Sequence, residues 1–175
     1  LLNQSIKAEE LFRKVGITFN VYGNDKAEER LIPFDLIPRI IEKKEWEFVK
    51  KGIIQRLKAL NLFLKDIYFD QKILKDGIIP SKLINNNSAF KPQMCGFKPP
   101  GGIYIHVSGV DLIRTSKKNF YVLEDNLRVP SGSSYMIENR STMMHMFPEL
   151  FTRYNVKNVY DYPDLLFKSL IKCYG

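Results

Sequence analysis

Three neighbouring polar residues, Glu124, Asp125 and Asn126, stand at the end of a strand-like run, and Arg128 follows two residues later. Carboxylate and amide oxygens are the ligands that a hard cation such as Mg²⁺ takes in proteins, commonly together with the phosphate oxygens of a substrate. An arginine can hold a phosphate through two parallel hydrogen bonds. The residue types at this point therefore suit the binding of Mg²⁺, or of Mn²⁺ in its place, and of a phosphate group.

A β-hairpin would bring a further acid into this cluster. If residues 116–119 form a four-residue loop, a regular antiparallel ladder follows, with the pairs Thr115–Phe120, Arg114–Tyr121 and Asp111–Glu124. Directly opposed residues have Cβ atoms about 4.5–5.5 Å apart, so two carboxylates there need a cation or a shared proton. Asn126 shares the face of Glu124 because side chains alternate along a strand. The ladder predicts a metal site of Asp111, Glu124 and Asn126, whereas a slip of one residue would put the acids on opposite faces.

The turn after the hairpin offers groups for an anion. Ser131, Gly132 and Ser133 precede a helix that we expect to open at about Ser134. Backbone N–H groups and the positive end of a helix bind anions there. The plainer alternative is a surface hairpin whose acids face water and whose Pro-Ser-Gly sequence is only a turn.

The elements that would position these residues predict an α+β fold, with an antiparallel sheet and packed helices. Seven apolar residues between Glu42 and Gln71 recur every three or four positions, which predicts one long amphipathic helix. This stripe consists of Trp46, Val49, Ile53, Leu57, Leu60, Leu64 and Ile67. Arg56 lies off the stripe, where a solvated or ion-paired arginine is the plainer interpretation.

Elsewhere the pattern predicts three more helices and several extended segments. We expect helices over residues 4–16, 134–147 and 162–174, strands over 17–23 and 103–107, an extended stretch over 31–42, and a loop-rich segment over 75–102.

Composition narrows the class of protein. At 175 residues the chain suits one domain, and 45% hydrophobic content is typical of globular proteins. The net charge of +8 comes from scattered lysines, without the basic block and interleaved aromatics typical of nucleic-acid binders. Cys95, Cys173, His106 and His145 show no zinc spacing. No apolar run approaches the roughly 18 residues that span a bilayer, so we expect no membrane partner. The first residues, "LLNQSIKAEELFRK", are too polar for a signal peptide, so we expect a cytoplasmic location.

At these residues the sequence resembles the ATP-grasp superfamily, whose late hairpin carries an acid on one strand and Glu-x-Asn on the next. The segments "VDLIR" and "VLEDNLR" match that pattern, with thirteen residues from Asp111 to Glu124. More closely, four segments resemble the circularly permuted ATP-grasp family of bacterial proteins: "IPFDLIPRII", "QRLKALNLFLKDIY", "HVSGVDLIRT" and "LEDNLRVPSGSSYMIENR". The resemblance covers nearly the whole chain, and the last segment is the most specific.

The resemblance implies ATP-dependent ligation of a carboxylate to an amine or a thiol through an acyl phosphate. It implies that Asp111, Glu124 and Asn126 hold Mg²⁺ and form the metal-binding half of the fold. It also implies that Arg128 binds and stabilises the transferring phosphoryl group. The resemblance also implies a phosphate or substrate role for further residues in the matching motifs: Arg56, Arg114, Ser131, Gly132 and Ser133.

Length sets the chain apart from that family, whose proteins are much longer. We expect residues 1–175 to be a single domain or a domain fragment, the N-terminal part of a permuted ATP-grasp protein that is inactive alone. Its partner would be the missing C-terminal lobe, beyond residue 175, with the adenine pocket. Such a fragment exposes apolar surface, so we expect self-association.

Two other hypotheses stay open. The same scaffold could be a non-catalytic module that binds a nucleotide or a protein partner. A basic nucleic-acid-binding domain is disfavoured, and it would show binding with a steep salt dependence.

Overall fold

The computed structural model describes residues 2–21, 28–116 and 119–174. Within them, helices and two small antiparallel sheets give an α+β fold, as the sequence predicts. The helices are α1 Leu2–Val15, α2 Lys43–Tyr68, α3 Lys72–Lys75, α4 Ser81–Asn85, α5 Ser133–Met146, α6 Pro148–Arg153 and α7 Tyr162–Tyr174. The strands are β1 Thr18–Val21, β2 Glu28–Leu31, β3 Gly109–Ser116 and β4 Asn119–Asn126.

The chain divides into two compact units. The first contains the described residues of Leu1–Ile40 and Ser131–Asp164, and the second contains the described residues of Ile41–Pro130 and Leu165–Gly175. Every residue of the predicted metal site therefore belongs to the second unit. The turn residues before α5 belong to the first.

The first unit has its core under α1. Ala8, Phe12 and Ile17 are buried, and the Phe12 ring packs edge-on against Phe34 with centroids 4.9 Å apart. The helix ends as predicted at Gly16, whose φ of 76° lies in the left-handed region that favours glycine. The N–H groups of Gly16 and Ile17 donate to the carbonyls of Arg13 and Phe12, which satisfies the last turn.

The long helix α2 dominates the second unit. Its apolar stripe faces inward only in part: Val49 and Ile67 are buried, Leu57 and Leu60 are half-buried, and Trp46 remains 38% exposed. The helix is confirmed, but its middle packs less deeply than the periodicity suggests.

Residues 103–107 do not form the predicted strand. Their backbone is irregular, because the N–H groups of Tyr104 and Ile105 donate to the side-chain oxygen of Asn61 on α2, at 2.7 and 3.3 Å. The Asn61 amide nitrogen donates in turn to the Gly102 carbonyl at 3.0 Å. A helix side chain thus satisfies the donors that a strand would have given to a neighbouring strand.

After the hairpin, the structure has the two predicted helices and one short helix between them that the sequence did not predict. Helix α5 spans Ser133–Met146, and α7 spans Tyr162–Tyr174. The expected stop near Pro148 is present, but Pro148 also begins α6 as its first residue, since proline has no N–H to lose at the start of a helix. Among the described helices, none has the length and hydropathy that crossing a membrane requires.

Candidate functional site

The hairpin of β3 and β4 pairs Asp111 with Glu124. This confirms the register predicted at the candidate site. The middle of the predicted ladder is wrong, because Leu112 pairs with Val122 and Arg114 with Phe120. The turn itself includes Lys117 and Lys118, which lie outside the described residues.

Two irregularities that offset one another explain this outcome. The ladder shifts by one residue between Arg114 and Ser116, and it shifts back between Asp111 and Leu112. The second shift leaves Leu123 as an extra residue in β4, and this residue is 66% exposed. An extra residue of this kind is a β-bulge, which changes the direction of the side chains that follow it.

The bulge determines which acid lies beside Asp111. Cross-strand partners share a face of the sheet, so Glu124 lies on the face of Asp111, and Asp125 lies on the face of Val110. Asn126 lies two residues beyond Glu124, and its amide nitrogen donates to Glu124 Oε1 at 3.0 Å. Asp111, Glu124 and Asn126 are all exposed.

Asp125 has a partner of its own on the opposite face. Arg56 of α2 donates from Nε to both carboxylate oxygens at 2.9 Å, and from Nη2 to Oδ2 at 2.6 Å. Only 13% of the Asp125 side chain is exposed. The hydrogen bonds and the charge of Arg56 hold the pKa of Asp125 below its ordinary value, although desolvation opposes the shift.

Arg114 makes a second ion pair between the same helix and hairpin. Its Nη2 lies 2.8 Å from Glu45 Oε1 and donates to Oε2 at 2.9 Å, and its guanidinium lies over the Phe120 ring. Arg56 and Arg114 therefore both bind acids within the second unit. The ion-paired interpretation given for Arg56 matches what the structure places there.

The two ion pairs fix the direction of α2 along the hairpin. Glu45 and Arg56 are eleven residues apart, about 16 Å along a helix. Arg114 and Val110, the partner of Asp125, are four residues apart, about 13 Å along a strand. Helix α2 thus lies alongside β3 and runs antiparallel to it.

Arg128 follows the hairpin and is exposed. It makes no hydrogen bond or ion pair with any residue that the structure describes. Its segment crosses the start of β3 closely: a Cβ added to Gly109 would lie 3.0 Å from Pro130 Cβ. Only a residue without a side chain fits at this position without a shift.

The predicted anion-binding turn opens α5 one residue earlier than expected. Gly132 is the N-cap residue with a φ of 99°, no side chain caps the helix, and α5 begins at Ser133. Ser131, Gly132 and Ser133 belong to the first compact unit, whereas the hairpin acids belong to the second.

The donor set fits a hard cation. Two opposed, exposed carboxylates and a neighbouring amide supply oxygen ligands, while Arg56 takes up the third acid of the sequence cluster. This number of carboxylates suits Mg²⁺, which keeps several waters or phosphate oxygens. The described ranges hold no group of three or more His, Cys, Asp or Glu side chains arranged around a metal position, so a cation here depends on the amide and on oxygens from elsewhere.

The sequence does not reveal the contacts that hold α2 against the hairpin and the segment before it. Asp125 belongs to the polar cluster in the sequence, although alternation along a strand sets it apart from Glu124 and Asn126. Glu45 and Asn61 carry no local signal, because their partners lie 69 and 41 to 44 residues away.

Comparison with known families identifies the class of protein. A sequence model described as "A circularly permuted ATPgrasp" matches residues 38–174. The chain therefore belongs to the circularly permuted ATP-grasp family. The matched residues include α2, the hairpin and Arg128.

Relatives from several bacteria are similar over most of the chain. An uncharacterised protein of Synechocystis sp. is 47% identical over 157 residues, which is 90% of this chain and 33% of the relative. An uncharacterised protein of Mycobacterium tuberculosis H37Rv is 50% identical over 155 residues, which is 89% of this chain and 27% of the relative.

A more distant relative carries a functional name. "Putative glutamate--cysteine ligase 2-3" of Frankia alni is 37% identical over 158 residues, 89% of this chain and 18% of the relative. The chain thus spans a third or less of the length of these relatives.

Proposed function

We propose that this chain contributes the Mg²⁺- and ATP-phosphate-binding part of an ATP-dependent ligase. The observation that carries the proposal is the opposed pair of Asp111 and Glu124, with Asn126 bonded to Glu124 on the same face. Two carboxylates so placed repel each other, and a divalent cation relieves that repulsion. Family membership supports the nucleotide as the second ligand.

Each residue has a defined task in this proposal. Asp111, Glu124 and Asn126 hold Mg²⁺, which when bound neutralises the charge of the ATP phosphates. Arg128 holds the transferring phosphoryl group, since its guanidinium is exposed and takes no partner among the described residues. In the first unit, the N–H groups at the start of α5, after Gly132, are proposed separately as donors to an anion.

The family and the name of the Frankia relative support the reaction class that we propose. A glutamate–cysteine ligase joins a carboxylate to an amine, and the Frankia protein bears that name. We propose the same class here: ATP phosphorylates a carboxylate, and an amine or thiol attacks the acyl phosphate with loss of phosphate. The adenine-binding residues are proposed to lie in the part of the relatives that this chain does not cover.

The test is a titration with Mn²⁺, followed by water-proton relaxation, of the wild-type chain and of Glu124→Gln. We expect the variant to bind Mn²⁺ at least ~10-fold more weakly, because even loss of a residue that only supports a ligand commonly costs 10–100-fold. Glu47→Gln is the matched control, since Glu47 is an exposed acid of α2 that pairs with Lys50. Equal binding by wild type and Glu124→Gln would remove Glu124 from the site.

A further inference from the structure

The ladder of the hairpin has a simpler alternative that the molecule does not adopt. Continued without the bulge, the pairs Arg114–Phe120 and Leu112–Val122 would lead on to Asp111–Leu123 and Val110–Glu124. Glu124 would then lie on the face of Val110, toward α2, and Asp125 would emerge on the other face. Asp111 would face Leu123 instead of a carboxylate.

The contacts of Asp125 exist only in the bulged register. Three hydrogen bonds of 2.6 to 2.9 Å join its carboxylate to Arg56, and the side chain is mostly buried. In the alternative register this carboxylate would leave the face that Arg56 occupies. Paired hydrogen bonds between an arginine and a carboxylate are both strong and geometrically specific.

We propose that Arg56 and Asp125 are positioning residues that select the bulged register, and thereby hold Glu124 and Asn126 on the face of Asp111. Arg56 makes no hydrogen bond to the proposed ligands and acts on the metal site through its hydrogen bonds to Asp125. This inference rests on the proposed function, since it assigns the pair a task at the proposed Mg²⁺ site. The Glu45–Arg114 pair is not given this task. Arg114 lies between the bulge and the turn, where its contact with Glu45 does not depend on the register of residues 124–126.

The experiment measures affinity for Mn²⁺ alone in Arg56→Gln and Asp125→Asn, neither of which alters a proposed ligand. We expect both variants to bind at least ~10-fold more weakly than wild type, as for other residues that orient ligands. Arg56→Lys keeps the charge but loses the forked geometry, so its affinity for Mn²⁺ should lie between those of wild type and Arg56→Gln. Glu45→Gln is the matched control: it breaks the other ion pair of the same helix and hairpin, and it should bind as wild type does.

A second readout follows the register itself. Cross-strand NOEs between residues 111 and 124 are expected in wild type and in Glu45→Gln, and they should weaken or move to residue 123 in Arg56→Gln. Thermal unfolding shows whether each variant still folds. If Arg56→Gln does not fold, the Mn²⁺ affinity and the NOEs of Arg56→Lys test the proposal in its place.

The results separate this inference from the proposed function. Equal Mn²⁺ affinity and unchanged NOEs in Arg56→Gln, together with weak binding in Glu124→Gln, would overturn the positioning role alone. An equal loss of affinity in Glu45→Gln would also overturn it, because the effect would then be general to the helix–hairpin contact. If Glu124→Gln binds as wild type, the proposed metal site itself fails.

Discussion

Glu124 and Asp125 are adjacent acids with opposite surroundings. Glu124 is exposed beside Asp111 and, among the residues that the structure describes, accepts a hydrogen bond from the amide of Asn126 alone. Asp125 is only 13% exposed and is held by Arg56. A carboxylate already neutralised by a forked arginine has little to offer a cation, while an exposed pair of like charges has much to gain from one. The chemistry of each acid follows from the face on which it lies.

At the same scale, Arg128 is expected to act on the nucleotide and not on the metal. Replacing it with Ala should leave the affinity for Mn²⁺ alone unchanged. The affinity for ATP in the presence of Mn²⁺ should fall about tenfold or more, because a hydrogen bond to a charged group contributes roughly 1.5–3 kcal/mol. Competition between ATP and a fluorescent ATP analogue provides the measurement.

Arg39→Ala is the control for this test, since it removes the same charge from a highly exposed arginine in the other unit. Identical ATP affinities for wild type and Arg128→Ala would contradict the role given to Arg128.

At the scale of elements, the hairpin is positioned from both ends. Helix α2 holds it through the Glu45–Arg114 and Arg56–Asp125 pairs, and the segment after β4 packs Pro130 against Gly109. A two-stranded hairpin is marginally stable by itself. These contacts therefore supply the order that a site needs.

The two glycines of this region give a test with opposite signs. Gly109→Ala introduces a Cβ 3.0 Å from Pro130 Cβ, and we expect a loss of about 1–3 kcal/mol in the free energy of unfolding, as for other overpacked positions. Gly52→Ala lies inside α2 with no atom within 4 Å of the new Cβ, and it should stabilise the protein by about 0.5–1 kcal/mol. Urea unfolding measures both. A neutral Gly109→Ala would show that the crossing segment moves aside at no cost.

At the scale of the whole molecule, the positive charge is spread and not concentrated. The net charge of +8 gives a general attraction for polyanions, which salt screens. Large apolar side chains also stay exposed on α2 and α7, among them Phe48, Leu62 and Phe167. Self-association of the chain therefore remains a prediction, to be checked by sedimentation velocity.

The charge distribution gives a prediction that separates nucleotide from nucleic acid. We expect binding of duplex DNA to be weak at low salt and to disappear at physiological salt, because counterion release makes such binding steeply salt-dependent. Binding of ATP with Mn²⁺ should persist, and Glu124→Gln should weaken it without changing the binding of DNA. Fluorescence anisotropy with labelled DNA measures the first quantity. Tight DNA binding at physiological salt that ATP does not displace would favour the nucleic-acid hypothesis.

Several features were open to prediction because they depend on local chemistry. The period of the apolar residues indicated α2, Gly16 marked the end of α1, and β-forming runs on either side of a polar turn indicated the hairpin. The pairing of Asp111 with Glu124 was also predicted, although the ladder that leads to it was not. Two shifts of one residue offset each other, which no count along the sequence could show.

The sequence by itself determined the types of residue in the candidate site, the strands that carry them and the family signature. Only the tertiary structure decided that Leu123 bulges, that Asp125 belongs to Arg56, and that residues 103–107 bond to Asn61 instead of forming a strand. The physical reason is the range of the interactions involved. Periodicity, capping and turn geometry act within a few residues, whereas the contacts of Arg56 with Asp125 and of Asn61 with residues 104 and 105 join groups 43 to 69 positions apart. They arise only when α2 packs against the hairpin and the segment before it.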